Sequence, residues 1–185
     1  MANFKGTVFE STRMFTEKRF GTDAPDRVLA ALSSADRDLL VGVNALGWYP
    51  VEPILRYHHA LDQLYGQGDL ALCEQAGRFS AGWAMNTVLK IFIRFKTPTW
   101  LVERATSVWG RYHDTGRWEI TSPKPERIQG DLYDFAVRDK AFCARLRGWL
   151  GGATELTGGH NVVVFETQCV CRGSDHCSFS TTWRK

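Results

Sequence analysis

Residues 160–183 read HNVVVFETQCVCRGSDHCSFSTTW. Two runs rich in β-branched and aromatic residues flank RGSD at 172–175, a polar, glycine-containing break, and that pattern predicts a β-hairpin. A turn centred on Gly173 sets Cys169 opposite Cys177. Opposed Cβ atoms sit about 4.5–5.5 Å apart, so the two thiols can share one ion or join to each other. Glu166 has the opposite strand parity and reaches them only if the strand bulges, as strands often do at functional edges.

Upstream of the hairpin, residues 139–156 predict a helix that buries Phe142, Leu146, Trp149 and Leu150, with Cys143 at the edge of the stripe. This helix runs directly into the strand holding Glu166 and Cys169, so its inner face should lie over the sheet. Before it, RWEITS (117–122) and RIQGDLYDFAV (127–137) predict two strands joined by a turn at Pro123–Pro125. The first half has the longer helical period. In WYPVEPILRYHHALDQLYG (48–66), Ile54, His58, Leu61 and Tyr65 share a face, and Gly66 stops the helix. Asp69 caps a second helix carrying Leu72, Ala76, Phe79 and Trp83. A third opens at Thr97–Pro98 and carries Leu101, Ala105, Val108 and Tyr112, with Trp109 beside them.

Helices first, then an antiparallel sheet with one inserted helix, predict an α+β fold in which a helical layer packs on the sheet. Residues 1–41 are helical but weakly patterned, and read as a candidate dimerisation arm or equally as part of the core. Its apolar residues Val8, Phe9, Met14, Phe15, Phe20, Leu29 and Leu32 motivate a homodimer, the commonest symmetric assembly. Residues 42–185 are read as the main domain.

Composition narrows the function. A net charge of +3, dispersed along the chain, argues against a nucleic-acid partner. No apolar run is long enough to span a membrane, and MANFKGTVFE lacks the apolar core of a secretory signal. The expected location is the cytoplasm. Five cysteines, an odd number in a reducing compartment, favour a metal or free thiols over disulfides.

Cys143, from the last helix, is the natural further ligand. With Glu166, Cys169 and Cys177 it would complete a tetrahedral set for Zn²⁺, a borderline-soft ion suited to sulfur. The competing reading makes Cys143 a small core hydrophobe. Spacing alone leaves both open, because the gap between Cys169 and Cys177 is not that of a standard zinc knuckle.

Cys143, Glu166, Cys169 and Cys177, with Gly173 in the turn and Phe179 beyond it, resemble the 4-vinyl reductase domain family, which includes the sensor of phenol-responsive bacterial activators. The resemblance covers about residues 75–183. It implies a structural zinc on those four residues, and a fold similar to TRAPP subunits and to haem nitric-oxide-binding domains. Length and layout also resemble a group of uncharacterised single-domain myxobacterial proteins.

The resemblance further implies an apolar pocket for a small hydrophobic or aromatic ligand. Phe92, Phe95, Trp100, Trp109, Tyr112, Trp118 and Phe135 supply lining material, with the pocket placed at Trp109, Tyr112, Trp118 and Phe135. Taken singly, each of these is more often core packing than a ligand contact. His58 is read as a satisfied core histidine, and His113 as an imidazolium complementing a helix end. His160, His176 and Cys171 lie near the hairpin but outside the ligand pattern, and Cys73 reads as core. No G-x-G-x-x-G opens a helix after a strand, no P-loop occurs, and four protein ligands leave a zinc no open position, so the chain is expected not to be an enzyme. The expected function is a sensory or regulatory module acting through an unidentified protein partner. A TRAPP-like adaptor with a filled or lipid-occupied pocket is the alternative, and a reductase-associated protein of tetrapyrrole metabolism ranks third.

Overall fold

The computed structural model describes residues 2–83, 97, 98, 100 and 104–184. Strand β1 (Asn3–Lys5) leads into α1 (Gly6–Phe20), α2 (Ala24–Ala30) and α3 (Ser34–Val41). Strand β2 (Trp48–Pro50) pairs antiparallel with β1 and opens α4 (Val51–Tyr65), which α5 (Ala71–Trp83) follows. The short helix α6 (Ala105–Trp109) precedes β3 (Arg117–Lys124) and β4 (Arg127–Tyr133). Helix α7 (Lys140–Leu156), β5 (His160–Gln168) and β6 (Cys177–Arg184) complete the chain. The second sheet has the order β3-β4-β6-β5 and is antiparallel throughout. Helices packed on an antiparallel sheet make this an α+β fold, as the periodicities predict.

Local chemistry accounts for most boundaries. Asp139 caps α7 by accepting from Ala141 N at 2.7 Å. Gly66 ends α4, as expected. The start of α5 is held twice: Asp69 accepts from Ala71 N at 3.0 Å, and the buried Asp62 carboxylate of α4 accepts from Leu70 N at 2.8 Å and Leu72 N at 3.2 Å. Only the first of these is local in sequence. The turn between β3 and β4 falls at Pro125–Glu126, and β4 ends at Tyr133 because Asp134 turns the chain with φ +54. Phe135, expected on a strand, therefore leaves the sheet and packs on Phe142 at 4.5 Å. For the helix expected from Thr97, the described part is helical at Pro98, Trp100 and α6, and Leu101 lies outside the described residues, as do Phe92 and Phe95.

The helical layer is built around a close crossing of α5 and α7. A Cβ at Gly77 would lie 1.9 Å from Arg145 O, and one at Gly148 would lie 1.8 Å from Glu74 O. Glycine at both positions lets the two backbones touch, and Arg147 clamps the crossing through Glu74 at 2.8 and 2.5 Å. At Gly152 the contact is milder, a Cβ there lying 2.7 Å from Arg78 O. Gly152→Ala is expected to destabilise the chain by about 2 kcal/mol through overpacking, read as a shift in urea midpoint without a change in slope.

The first 41 residues share this core. Phe4, Val8, Phe9, Phe15, Val28, Leu29 and Leu40 are buried in one cluster with residues of α4, α5 and α7. Of the seven apolar residues that motivated an arm, Val8, Phe9, Phe15 and Leu29 are buried and Met14, Phe20 and Leu32 half-buried within the single chain. The backbone joins the rest at the same place, with Lys5 N donating to Tyr112 O at 2.9 Å and Asn3 N to Asp114 Oδ1 at 2.7 Å.

Candidate functional site

Two groups of side chains stand out, one at the hairpin and one between the helices and the sheet. At the hairpin, β5 and β6 pair with Glu166 opposite Phe179, then with Gln168 opposite Ser178. The register slips by one residue between these pairs, which is the bulge that Glu166 requires. The connection is longer than RGSD: Val170–Arg172 form a 3₁₀ turn, and Cys169 O accepts from both Arg172 N at 2.9 Å and Ser174 N at 3.1 Å. Gly173 closes the turn at φ +91, a conformation that favours glycine.

This geometry brings Cys143, Glu166, Cys169 and Cys177 together, with one ligand atom of each within 4.8 Å of the others. Cys143 Sγ and Cys169 Sγ are 3.6 Å apart. Interaction with the Cys143 thiol holds Cys177 below the usual thiol range and Cys143 above it; Val170 N also donates to Cys177 Sγ at 3.4 Å. Burial, with the Glu166 carboxylate alongside, pushes Cys169 up to about 12. Glu166 Oε2 accepts from Arg172 Nη1 at 2.8 Å, while its Oε1 is buried with no partner. Three thiols and a carboxylate can donate to one cation.

The neighbouring residues stand apart. His160 is exposed on β5, and His176 is engaged by Asp175 at 2.6 Å and by the Tyr133 ring at 4.4 Å. Cys171 is half-buried, and Cys73 is buried in the core, its thiol donating to His58 O at 3.6 Å. Of the five free cysteines only Cys171 is not buried. A thiol reagent applied to the native chain is therefore expected to modify one cysteine fast, and Cys171→Ser to abolish that phase.

The second group surrounds an apolar cavity of about 60 Å³. That is room for about four waters, and less than half the roughly 150 Å³ of an engineered core cavity that binds benzene. Helix α1 lines it with Thr7, Val8 and Ser11, α5 with Ser80, and α7 with Phe142, Arg145 and Trp149; Trp109, Tyr112, His113 and Trp118 close it from the α6–β3 corner. Trp118 is aimed there by Gly130 on the paired strand, where a Cβ would lie 2.6 Å from the indole ring. Trp118 and Trp109 meet edge to face at 5.5 Å, and Trp109 Nε1 donates to Thr115 O at 2.8 Å. Three of the four residues assigned to the pocket thus line the cavity. Phe135 does not, and packs behind Trp109 at 5.3 Å. Trp100 lies under the Arg104 guanidinium at 4.4 Å.

The cavity's polar residues escaped the sequence reading. His113 is stacked on Trp109 at 3.8 Å and met edge-on by Phe4 at 4.8 Å. Both of its ring nitrogens are buried without a hydrogen bond. Burial, aided by the Arg145 charge, pushes its pKa down to about 3. The expected imidazolium at a helix end is therefore corrected to a neutral ring in an aromatic cage. His58 does match its assignment, with Nδ1 on Ile54 O at 2.7 Å and Nε2 at Thr12 Oγ1, 3.1 Å, neutral with a pKa near 3 through burial. Arg145 reads in sequence as a polar position on an amphipathic helix, yet it is only 6% exposed. No local signal distinguishes it, because α1 and α5 cover it from far along the chain.

Fold and cavity together define an architecture, an α+β fold with a helical layer over an antiparallel sheet and a mainly apolar cavity between them. Solved H-NOX structures share this fold. One from S. oneidensis in the Fe(II)NO ligation state superposes with a TM-score of 0.74 at 17% identity, covering 98% of this chain and 99% of that one. The Fe(II) unliganded A71G H-NOX mutant from K. algicida gives 0.72 at 12% identity, covering 98% and 97%. A structure that concerns haem redox potential and porphyrin distortion gives 0.65 at 13% identity, covering 97% and 99%. No family model matches the chain, and no curated protein matches it significantly. The expected likeness to haem nitric-oxide-binding domains is thus present in the fold, whereas the 4-vinyl reductase resemblance is not confirmed. The expectation of a structural zinc as the cofactor is overturned by the same neighbours, whose structures are described for Fe(II) and haem. The four hairpin residues converge because α7 must cross the bulged end of β5, a packing that brings thiols together without specifying zinc. No described helix is long and apolar enough to cross a membrane.

Proposed function

We propose that the chain is a non-catalytic sensory module that holds one small aromatic or apolar molecule in the cavity between α1, α5, α7 and the α6–β3 corner. Occupancy is relayed to a protein partner or to a second copy of the chain. The observation that carries this reading is His113, a neutral imidazole on a mainly apolar cavity, both of whose ring nitrogens lack a hydrogen bond among the described residues. Buried polar atoms are nearly always paired, so a ligand with one polar substituent would complete this site. The adaptor alternative calls for a filled core, and the cavity favours the ligand.

Haem, the group described for the neighbours, does not fit these residues. A cavity of about 60 Å³ is far below the roughly 300–1,000 Å³ typical of pockets for drug-sized ligands and cofactors. Of the five histidines, His113 alone lines it, and its ring faces are already covered by Trp109 and edged by Phe4. Native mass spectrometry of the purified chain is expected to show an adduct with the mass of a single substituted ring, and its absorbance no Soret band. Stoichiometric haem with a Soret band lost in His113→Phe would replace this reading with a haem one.

A further inference from the structure

We propose that the ligand of this cavity is a small aromatic carboxylate, recognised by the guanidinium of Arg145. The inference rests on the ligand-binding reading above and adds the charge of the molecule bound. Arg145 projects from α7 into the cavity and is buried. No carboxylate among the described residues forms an ion pair with it. Among the described residues its hydrogen bonds run from one nitrogen, Nη2, to Ser80 Oγ at 3.1 Å and Ser11 Oγ at 3.4 Å. Both acceptors are neutral hydroxyls whose own protons are committed to backbone, Ser80 to Gly77 O at 2.8 Å and Ser11 to Val8 O at 3.0 Å. Nε has no partner among the described residues.

An arginine buried in this way is incomplete. Its planar fork matches a carboxylate, which can accept from two guanidinium nitrogens at once. Folded chains seldom bury a charge without a counter-charge, and here a carboxylate entering the cavity would supply it. The walls specify the rest of the molecule. Phe142, Trp109 and Trp118 are faces and edges for one flat ring, and the cavity, small in itself at about 60 Å³, is partly open, so that a carboxylate enters it while the ring rests against these walls. The second orphan, His113, lies on the same cavity and can bond a ring substituent or the second carboxylate oxygen.

Isothermal titration calorimetry of the full chain with benzoate, benzamide and phenol tests this. Benzamide has nearly the shape of benzoate and lacks the charge. Benzoate is expected to bind about thirtyfold more tightly than benzamide. Arg145→Met is expected to abolish that preference. If benzamide or phenol binds the native chain as tightly as benzoate, the carboxylate inference is overturned and the aromatic-ligand reading stands. If none of the three binds, both fail. The comparison among ligands uses the native chain alone, so it decides the question even where the variant does not fold.

Discussion

Arg145→Met is expected to raise the unfolding free energy of the ligand-free chain by about 3 kcal/mol. The guanidinium is buried without a counter-ion, and burial alone draws its pKa down to about 10 from 12.5. Each pKa unit corresponds to about 1.4 kcal/mol, so keeping this group charged near neutral pH costs the fold about 3 kcal/mol. Methionine fills similar volume with no charge to desolvate. The two serine hydroxyls lose a donor, but their own protons stay bonded to Gly77 O and Val8 O. Urea denaturation at pH 7 checks the sign directly. A variant less stable than the native chain would mean that Arg145 is compensated in the fold, and the argument for an anionic ligand would lose its basis. A gain in stability that comes with a loss of benzoate binding is the mark of a residue kept for its ligand.

Acid is expected to remove a large part of the stability between about pH 6.5 and pH 3. His58 and His113 are both buried as neutral rings with folded pKa values near 3, against 6.5 when unfolded. The folded chain therefore binds fewer protons than the unfolded one in this window. Their contribution is complete above 6.5 and is lost as pH falls toward 3, each ring adding a slope of up to about 1.4 kcal/mol per pH unit. Near pH 5 the total loss is on the order of 4 kcal/mol, comparable with the margin of many small domains. Asp36 and Asp114, held below the usual carboxylate range by Arg56 and by Asn3 against the opposing effect of burial, extend the loss below about pH 4. His113→Phe should halve the slope near pH 5, because Phe suits the aromatic cage and takes up no proton. An unchanged slope in that variant would show that His113 is charged in the fold.

How far the sequence reached depends on the range of the physics involved. Periodicity, caps and turn residues are local, and they located α4, α5, α7 and the four strands of the sheet. They also placed Asp69 as a cap and Gly66 as a stop. The bulge that Glu166 needs followed from strand parity, and the convergence of Cys143 with the hairpin followed from the short connection between α7 and β5. Contacts between distant segments were not legible. The Asp62 carboxylate that caps α5 comes from another helix. The placement of β1 and α1 in the core depends on pairing with β2 and on the crossing of α5 and α7. Above all, Arg145 and His113 look like ordinary surface and helix-end residues along the chain. Their burial is decided by tertiary structure, since the glycines at 77 and 148 let α5 meet α7 backbone to backbone, and α1 then closes over the result. Sequence pattern thus determined the α+β layers and the thiol-rich hairpin. Only packing could strip solvent from one arginine and one histidine, and that desolvation is what turns them into a site.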